Sequence, residues 1–248
     1  MNKLSCLVIT FNEEKNIVLC LESLAWADEI VVVDAFSEDE TFELAKKFTP
    51  KVFKRKWEGY TEAKKFALTQ TTGDWILWID ADERVTPVLS NEIKKAIKDN
   101  SFDAYEMPRQ AFFLGKWIKH CGWYPGYVIR LFKKDKARFT DSLVHEGVII
   151  SGKVDRLKEP LLHYAYDNLS QYFTKFNHYT TLAAEDYFRH HKRWHFYQLL
   201  FNPPAFFLRS YILKLGFLDG MHGLILCFLS AFSVFIKYAK LWERERRH

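Results

Sequence analysis

The chain has 248 residues, 36 Lys plus Arg against 31 Asp plus Glu for a formal net charge of +5, and it is 48% hydrophobic and 17% aromatic. This composition excludes a disordered or collagen-like chain and supplies a core for one large domain, or one domain with an appendage. The basic excess is too small to imply nucleic-acid binding, because Lys and Arg alternate with acids along most of the sequence.

The four cysteines, Cys6, Cys20, Cys121 and Cys227, are far apart and form no CxxC pair, so a reducing compartment is expected. The opening MNKLSCLVITFNEE holds an apolar run of about seven residues, shorter than a signal-peptide core, and reads as a buried strand. Short β-rich runs then alternate with helical patterns, as in a parallel sheet covered by helices. Strands are expected at Leu4–Thr10, Glu29–Asp34, Lys51–Lys54 and Trp75–Asp80.

The helix after Asn12 carries Ile17, Leu21 and Leu24 on one stripe, and Ser37-x-x-Glu40 has the form of a capping box for the next helix. Thr61–Thr71 reads as a third helix closed by Gly73, and Thr86-Pro87 as N-cap and first residue of a fourth. From about Ala104 to Tyr166 short strands with Gly and Pro punctuation, including Tyr127–Lys133, Val144–Ile150 and Leu161–Tyr166, complete a mixed sheet. The expected division is residues 1–166 as a nucleotide-binding and catalytic domain and 167–248 as a helical region.

That second region holds close to half of the aromatic residues. Asn168–His191 is amphipathic, with Phe173, Phe176, Leu182, Ala183 and Tyr187 on its apolar face, and Pro203-Pro204 is expected to break the helix that follows. Met221–Ile236 is apolar almost all round, but its 16 residues span roughly 24 Å, short of a bilayer core. Lys237, Lys240, Arg244, Arg246 and Arg247 follow it, the pattern of an interfacial membrane anchor; a helical layer packed on the sheet is the alternative.

The most specific feature is Trp75-Ile-Leu-Trp-Ile-Asp80-Ala81-Asp82-Glu83. An apolar strand ending in Asp-x-Asp delivers two carboxylates to the carboxyl edge of a parallel sheet, where open α/β folds place ligands. Such a pair suits Mg²⁺ or Mn²⁺ bridging protein carboxylates to a diphosphate, although acidic clusters also solvate turns or cap helices.

Leu4–Glu14, Val32–Thr41 and Asp80–Glu83 resemble, in order and spacing, the signatures of family 2 glycosyltransferases with a GT-A, Rossmann-like fold. The resemblance implies that Thr10, Phe11, Asn12 and Glu13 hold the nucleoside and that Asp34 contacts its base or ribose, with Asp80 and Ala81 also at the nucleotide. It implies Asp82 and the late His163 as metal ligands for Mg²⁺ or Mn²⁺. Only Asp34 carries over from the usual Asp-Asp-Gly-Ser, because Ala35, Phe36 and Ser37 follow it; Asn12 and Ser37 also suit helix caps, and Asp39 a structural first-turn acid. Lys64 matches a basic nucleotide position or is an exposed helical lysine, and His163 is a ligand or a core histidine.

Arg130-Leu-Phe and Val144-His145-Glu146 resemble the acceptor half of that fold, which makes Glu146 the candidate general base and Asp141 the reserve. On a strand His145 and Glu146 point to opposite sides, so only one faces the sugar. Together with His163-Tyr and Lys214–Gly223, these motifs resemble bacterial lipopolysaccharide inner-core β-1,4-glucosyltransferases over nearly the whole chain. The implied partners are a UDP-sugar donor, UDP-glucose in that group, a lipid-linked saccharide acceptor and the cytoplasmic face of the bacterial inner membrane, where the resemblance implies a peripheral, inverting enzyme.

The competing readings are a polyprenyl-phosphate glycosyltransferase, which lacks a clear pair of spanning helices here, and a non-catalytic membrane-surface sugar-binding protein. A nucleotidyltransferase is disfavoured because Thr10-Phe-Asn-Glu-Glu lacks the glycine of a triphosphate loop.

Overall fold

The structure is a computed structural model that describes residues 2–56, 60–139 and 148–246. In chain order the first elements are β1 (Leu4–Thr10), α1 (Ile17–Glu22), β2 (Glu29–Asp34), α2 (Thr41–Ala45), β3 (Val52–Lys54), α3 (Tyr60–Gln70) and β4 (Trp75–Asp80). There follow β5 (Glu83–Arg84), α4 (Pro87–Asp99), β6 (Ala104–Met107), β7 (Arg109–Phe113), β8 (Lys116–Trp117), β9 (Val128–Lys133) and β10 (Ala137–Phe139). The last are β11 (Val148–Ile150), β12 (Val154–Arg156), β13 (Leu161–Tyr166), α5 (Leu169–Arg189), α6 (Phe196–Leu208) and α7 (Gly220–Glu245). Among the described residues one compact unit takes 2–109, 127–139 and 148–163, and a second takes 110–126 and 164–246.

The first unit is built on a seven-stranded mixed sheet of order β12-β6-β9-β4-β1-β2-β3. The four strands β3, β2, β1 and β4 are mutually parallel, and β9 turns the sheet antiparallel against β4. Every residue of β1 is buried, as are the first five of β4, because helices cover both faces and leave no polar side for alternation. Ile17, Leu21 and Leu24 are fully buried against this sheet, as the stripe predicts.

Thr86 caps α4 by accepting the Leu89 N–H, with Pro87 as its first residue, also as expected. The capping box at Ser37 does not form: α2 begins at Thr41, and the Ser37 hydroxyl instead donates to Asp34 and accepts the Asn12 N–H. Gly73 is not a helix cap either. It lies where β1 passes so close that a Cβ would sit 2.8 Å from the Lys3 carbonyl oxygen and the Ser5 nitrogen.

In the second unit the β7–β8 hairpin turns through Leu114 and Gly115, both at positive φ, and α5, α6 and α7 pack together. Phe113 is fully buried among Trp123, Tyr166 and Tyr172 in edge-on contacts. The buried face of α5 centres on Tyr172, Thr180 and Ala184, with Phe176 and Tyr187 packed inward as the sequence suggests, while Phe173 is exposed.

Pro203 and Pro204 do not break α6, which runs through both and passes into a π turn at Arg209–Leu213. Each proline removes one backbone donor, and the helix continues with those two bonds missing. Gly216–Glu245, by length and composition alone, is long and apolar enough to cross a membrane.

The tail motif is a packing device. A Cβ on Gly223 would meet the Gly216 carbonyl oxygen at 2.0 Å, and one on Gly216 would meet Cys227 Sγ at 2.9 Å. Asp219, 3% exposed, accepts the backbone N–H groups of Lys119 at 3.3 Å and His120 at 2.8 Å. It thereby fixes the chain that leaves β8.

Candidate active site

The parallel register sets three strand ends level. Thr10 lies opposite Asp34 across β1 and β2, and Ile9 opposite Asp80 across β1 and β4, so the loops after β1, β2 and β4 leave from one carboxyl edge. Thr10 is buried, and its hydroxyl oxygen has no hydrogen-bond partner among the described residues. Phe11 beside it is exposed.

Asn12 adopts a left-handed φ of 52°, which Asn tolerates better than most residues. Its Oδ1 accepts the Glu38 N–H at 2.9 Å, locking the β1 loop to the β2 loop. Asp34 is fully buried and accepts both the N–H and the hydroxyl of Ser37, at 2.9 and 2.5 Å. Burial would raise the Asp39 carboxyl, but the Thr41 hydroxyl, with the Thr41 and Glu14 N–H groups, donates to it and holds it below the usual range. Asp39 is thus the structural acid at the start of α2 that the sequence suggests.

Glu13 accepts from Asn16 Nδ2 at 2.8 Å, Asn16 Oδ1 accepts from Arg84 at 3.0 Å, and Arg84 donates to the Ala81 carbonyl at 2.9 Å. This relay ties the first loop to the turn that carries Asp80, Ala81 and Asp82.

At that turn the two aspartates take different partners. Asp80, whose side chain is 41% exposed, is paired with Arg130 Nη2, and the same Arg130 reaches the fully buried Glu83 at 2.8 Å. Burial would lower the Arg130 pKa, but the Asp80 and Glu83 carboxylates outweigh it and drive it up. Burial pushes the Glu83 carboxyl up, against the pull of Arg130.

Asp82 instead faces His163, with Oδ2 to Nε2 at 3.6 Å. The antiparallel pairing of β5 with β13, Glu83 opposite His163, brings together residues far apart in sequence. Among the described residues no group of three or more His, Cys, Asp or Glu side chains is arranged to hold a metal ion. Two donors, one carboxylate and one imidazole, suit a cation that completes its shell with substrate oxygens.

Lys64 is 4% exposed, so it is not an exposed helical lysine. Its Nζ lies 3.8 Å from the centroid of Trp78, and the Arg130 guanidinium lies 4.5 Å from the same ring. The general-base candidate Glu146, its neighbour His145 and the reserve Asp141 lie outside the described residues. Sequence spacing missed the Arg130–Glu83 pair, whose members are 47 positions apart, although each stands in a quoted motif.

The profile of glycosyl transferase family 2 matches residues 5–148. The chain belongs to that family. This family 2 glycosyltransferase is 31% identical to the lipopolysaccharide core biosynthesis glycosyltransferase LpsC of Rhizobium meliloti (strain 1021), over 95% of this chain and 93% of the relative. It is 30% identical to the uncharacterized glycosyltransferase RT0209 of Rickettsia typhi, over 98% and 88%. Among solved structures it is similar to S. aureus TarS 1-349, at 16% identity and a TM-score of 0.49, covering 99% of this chain and 91% of that one.

Proposed function

We propose that this family 2 enzyme is an inverting, metal-dependent hexosyltransferase that moves a sugar, glucose in the first instance, from a UDP-sugar to a lipid-anchored saccharide of the lipopolysaccharide-core type. The acceptor class rests on the likeness to LpsC along nearly the full length of both chains. In this reading residues 1–166 form the catalytic domain and 167–248 the membrane-associating region, and the enzyme is peripheral on the cytoplasmic face of the inner membrane.

The observation that carries the donor-site reading is the division of labour in Asp80-Ala81-Asp82: Arg130 holds Asp80, while Asp82 meets His163. Asp82 and His163 would hold Mg²⁺ or Mn²⁺. When bound, that cation supplies charge neutralisation on the departing diphosphate. Thr10, Phe11, Asn12 and Glu13, with Asp34, Lys64, Asp80 and Ala81, form the nucleotide side. The orphaned Thr10 hydroxyl at the sheet edge fits a site completed by ligand.

Buried Lys64 brings a positive charge to the same region, suited to a diphosphate. Glu146 takes the proton from the acceptor hydroxyl as that oxygen attacks the anomeric carbon opposite the leaving group, which inverts the configuration.

The test is Mn²⁺-dependent hydrolysis of UDP-glucose by the full chain, together with a thermal-shift panel of nucleotide sugars. Asp82→Asn should slow hydrolysis by about 100-fold or more, the order expected when transition-state charge loses its partner. UDP-sugars should raise the Tm of the wild type in the presence of Mn²⁺. Equal hydrolysis by the variant, or a panel that shifts nothing, would overturn the assignment.

A further inference from the structure

The second unit carries two apolar faces that no described residue covers. In α6 no side chain is buried. Its inner side meets α7 through Leu199 and through Asn202, whose Nδ2 donates to the Tyr238 hydroxyl at 3.2 Å. Its outer side, at helical spacing, presents Phe196, Tyr197, Leu200, Phe201 and Leu208, all more than half exposed. A helix facing water carries polar residues at those positions.

α7 repeats the pattern. Leu226, Cys227, Ala231, Tyr238 and Leu241 form an inner buried stripe, while Met221, Leu224, Phe228, Phe232 and Phe235 form an outer, exposed one. Contiguous exposed apolar surface on this scale marks an interaction site.

Charge decides among occupants. From Arg189 to the end the chain has ten Lys and Arg against three carboxylates, Asp219, Glu243 and Glu245. Arg189, Lys192 and Arg193 line a recess with His191, Phe188 and Glu245 where α5 ends and α6 is about to begin. The Glu245 carboxylate in that recess already accepts the Trp194 N–H at 3.1 Å. Lys192 and Arg193 make no ion pair among the described residues. Bare aromatic surface beside unneutralised cations matches a bilayer's acyl boundary and its phosphate headgroups, not a second copy, which would set this basic segment against its own like.

We propose that α6 and the outer stripe of α7 lie in the interface of an anionic phospholipid bilayer, with the Arg189–Arg193 recess taking a lipid phosphate. This deepens the membrane-associated reading above and rests on it. The inner stripe of α7 stays packed in the protein, so the docking is one-faced and does not span.

The test is flotation of the full chain with pure phosphatidylcholine vesicles and with vesicles containing phosphatidylglycerol. Wild type should float with the anionic vesicles, less so at high salt. The double variant Phe201→Ser, Phe228→Ser should lose at least about tenfold in bound fraction, since two exposed rings no longer enter the acyl boundary, with Tm unchanged because neither ring is packed. Lys192→Glu with Arg193→Glu should remove the preference for anionic vesicles.

Flotation by every variant equal to wild type would overturn the proposal. So would resistance to alkaline carbonate, which indicates a span, or a dimer that the serine variant dissociates while wild type never floats. The same preparations are read for the Mn²⁺ and UDP-sugar thermal shift. A retained shift without flotation sinks the surface alone, and a missing shift sinks the donor-site reading.

Discussion

Asp80 and Asp82 stand two positions apart, yet their surroundings give them unlike work. Asp80 is held by a guanidinium that is itself shared with Glu83, a carboxylate with no exposed surface. Arg130 is thus the ion-pair partner that makes a buried Glu83 tolerable, and it orients Asp80 by the same contact. Arg130→Met should cost about 3–5 kcal/mol of stability, because it strands a charge away from water. Urea denaturation of Arg130→Met, Glu83→Gln and the double variant checks this. The double should lose less than the sum of the singles, since neither partner is then left alone. Additive losses would show that the pair is not coupled.

The elements most legible in the sequence are the central parallel strands. β1, β2 and β4 have their expected bounds because a strand buried on both faces is a continuous apolar run closed by polar residues. Elements decided by tertiary partners are less legible. Ser37 has the spacing of a cap but is captured by Asp34 and Asn12, and α6 tolerates two prolines that local rules place at a break. The site follows the same division. Asp82 is plain from its strand, whereas its meeting with His163 depends on a two-residue strand that leaves no periodic signal, and only the family resemblance pointed to it.

The tail motif is legible as a pattern, but its role depends on Asp219 holding two backbone donors about a hundred positions away. Asp219→Ala should cost about 1–3 kcal/mol, because two backbone N–H groups lose their buried acceptor. Thermal unfolding should show the loss, and a Tm within a degree of wild type would contradict this role.

Across the whole sheet, carboxylates gather at both strand ends, with different partners at each. The carboxyl edge gathers Asp34, Asp80 and Asp82, while the opposite edge holds Asp28 and Asp74, which accept the N–H groups of Leu4 and Lys3, and Glu29, which Ser5, Lys51 and Thr72 all contact. Burial alone would raise the Glu29 pKa, but hydrogen bonds from Lys51, Ser5 and Thr72 win and bring it from 4.5 to about 2. A carboxyl depressed on folding binds its proton more readily in the unfolded chain. Its stabilisation is therefore complete above about 4.5 and disappears as the pH falls towards 2.

After allowance for solvent at a partly exposed site, this contribution is on the order of 2 kcal/mol near neutrality. Glu29→Gln should be less stable than wild type by that amount at pH 7. The gap should narrow through the window from 4.5 to 2 and close at its lower end. Denaturant titrations at a series of pH values measure the difference directly, which cancels carboxylates common to both chains, such as Asp39 and Asp103, that are also depressed. A gap that stays constant with pH would mean that Glu29 acts through shape and neutral hydrogen bonding, and not through its charge.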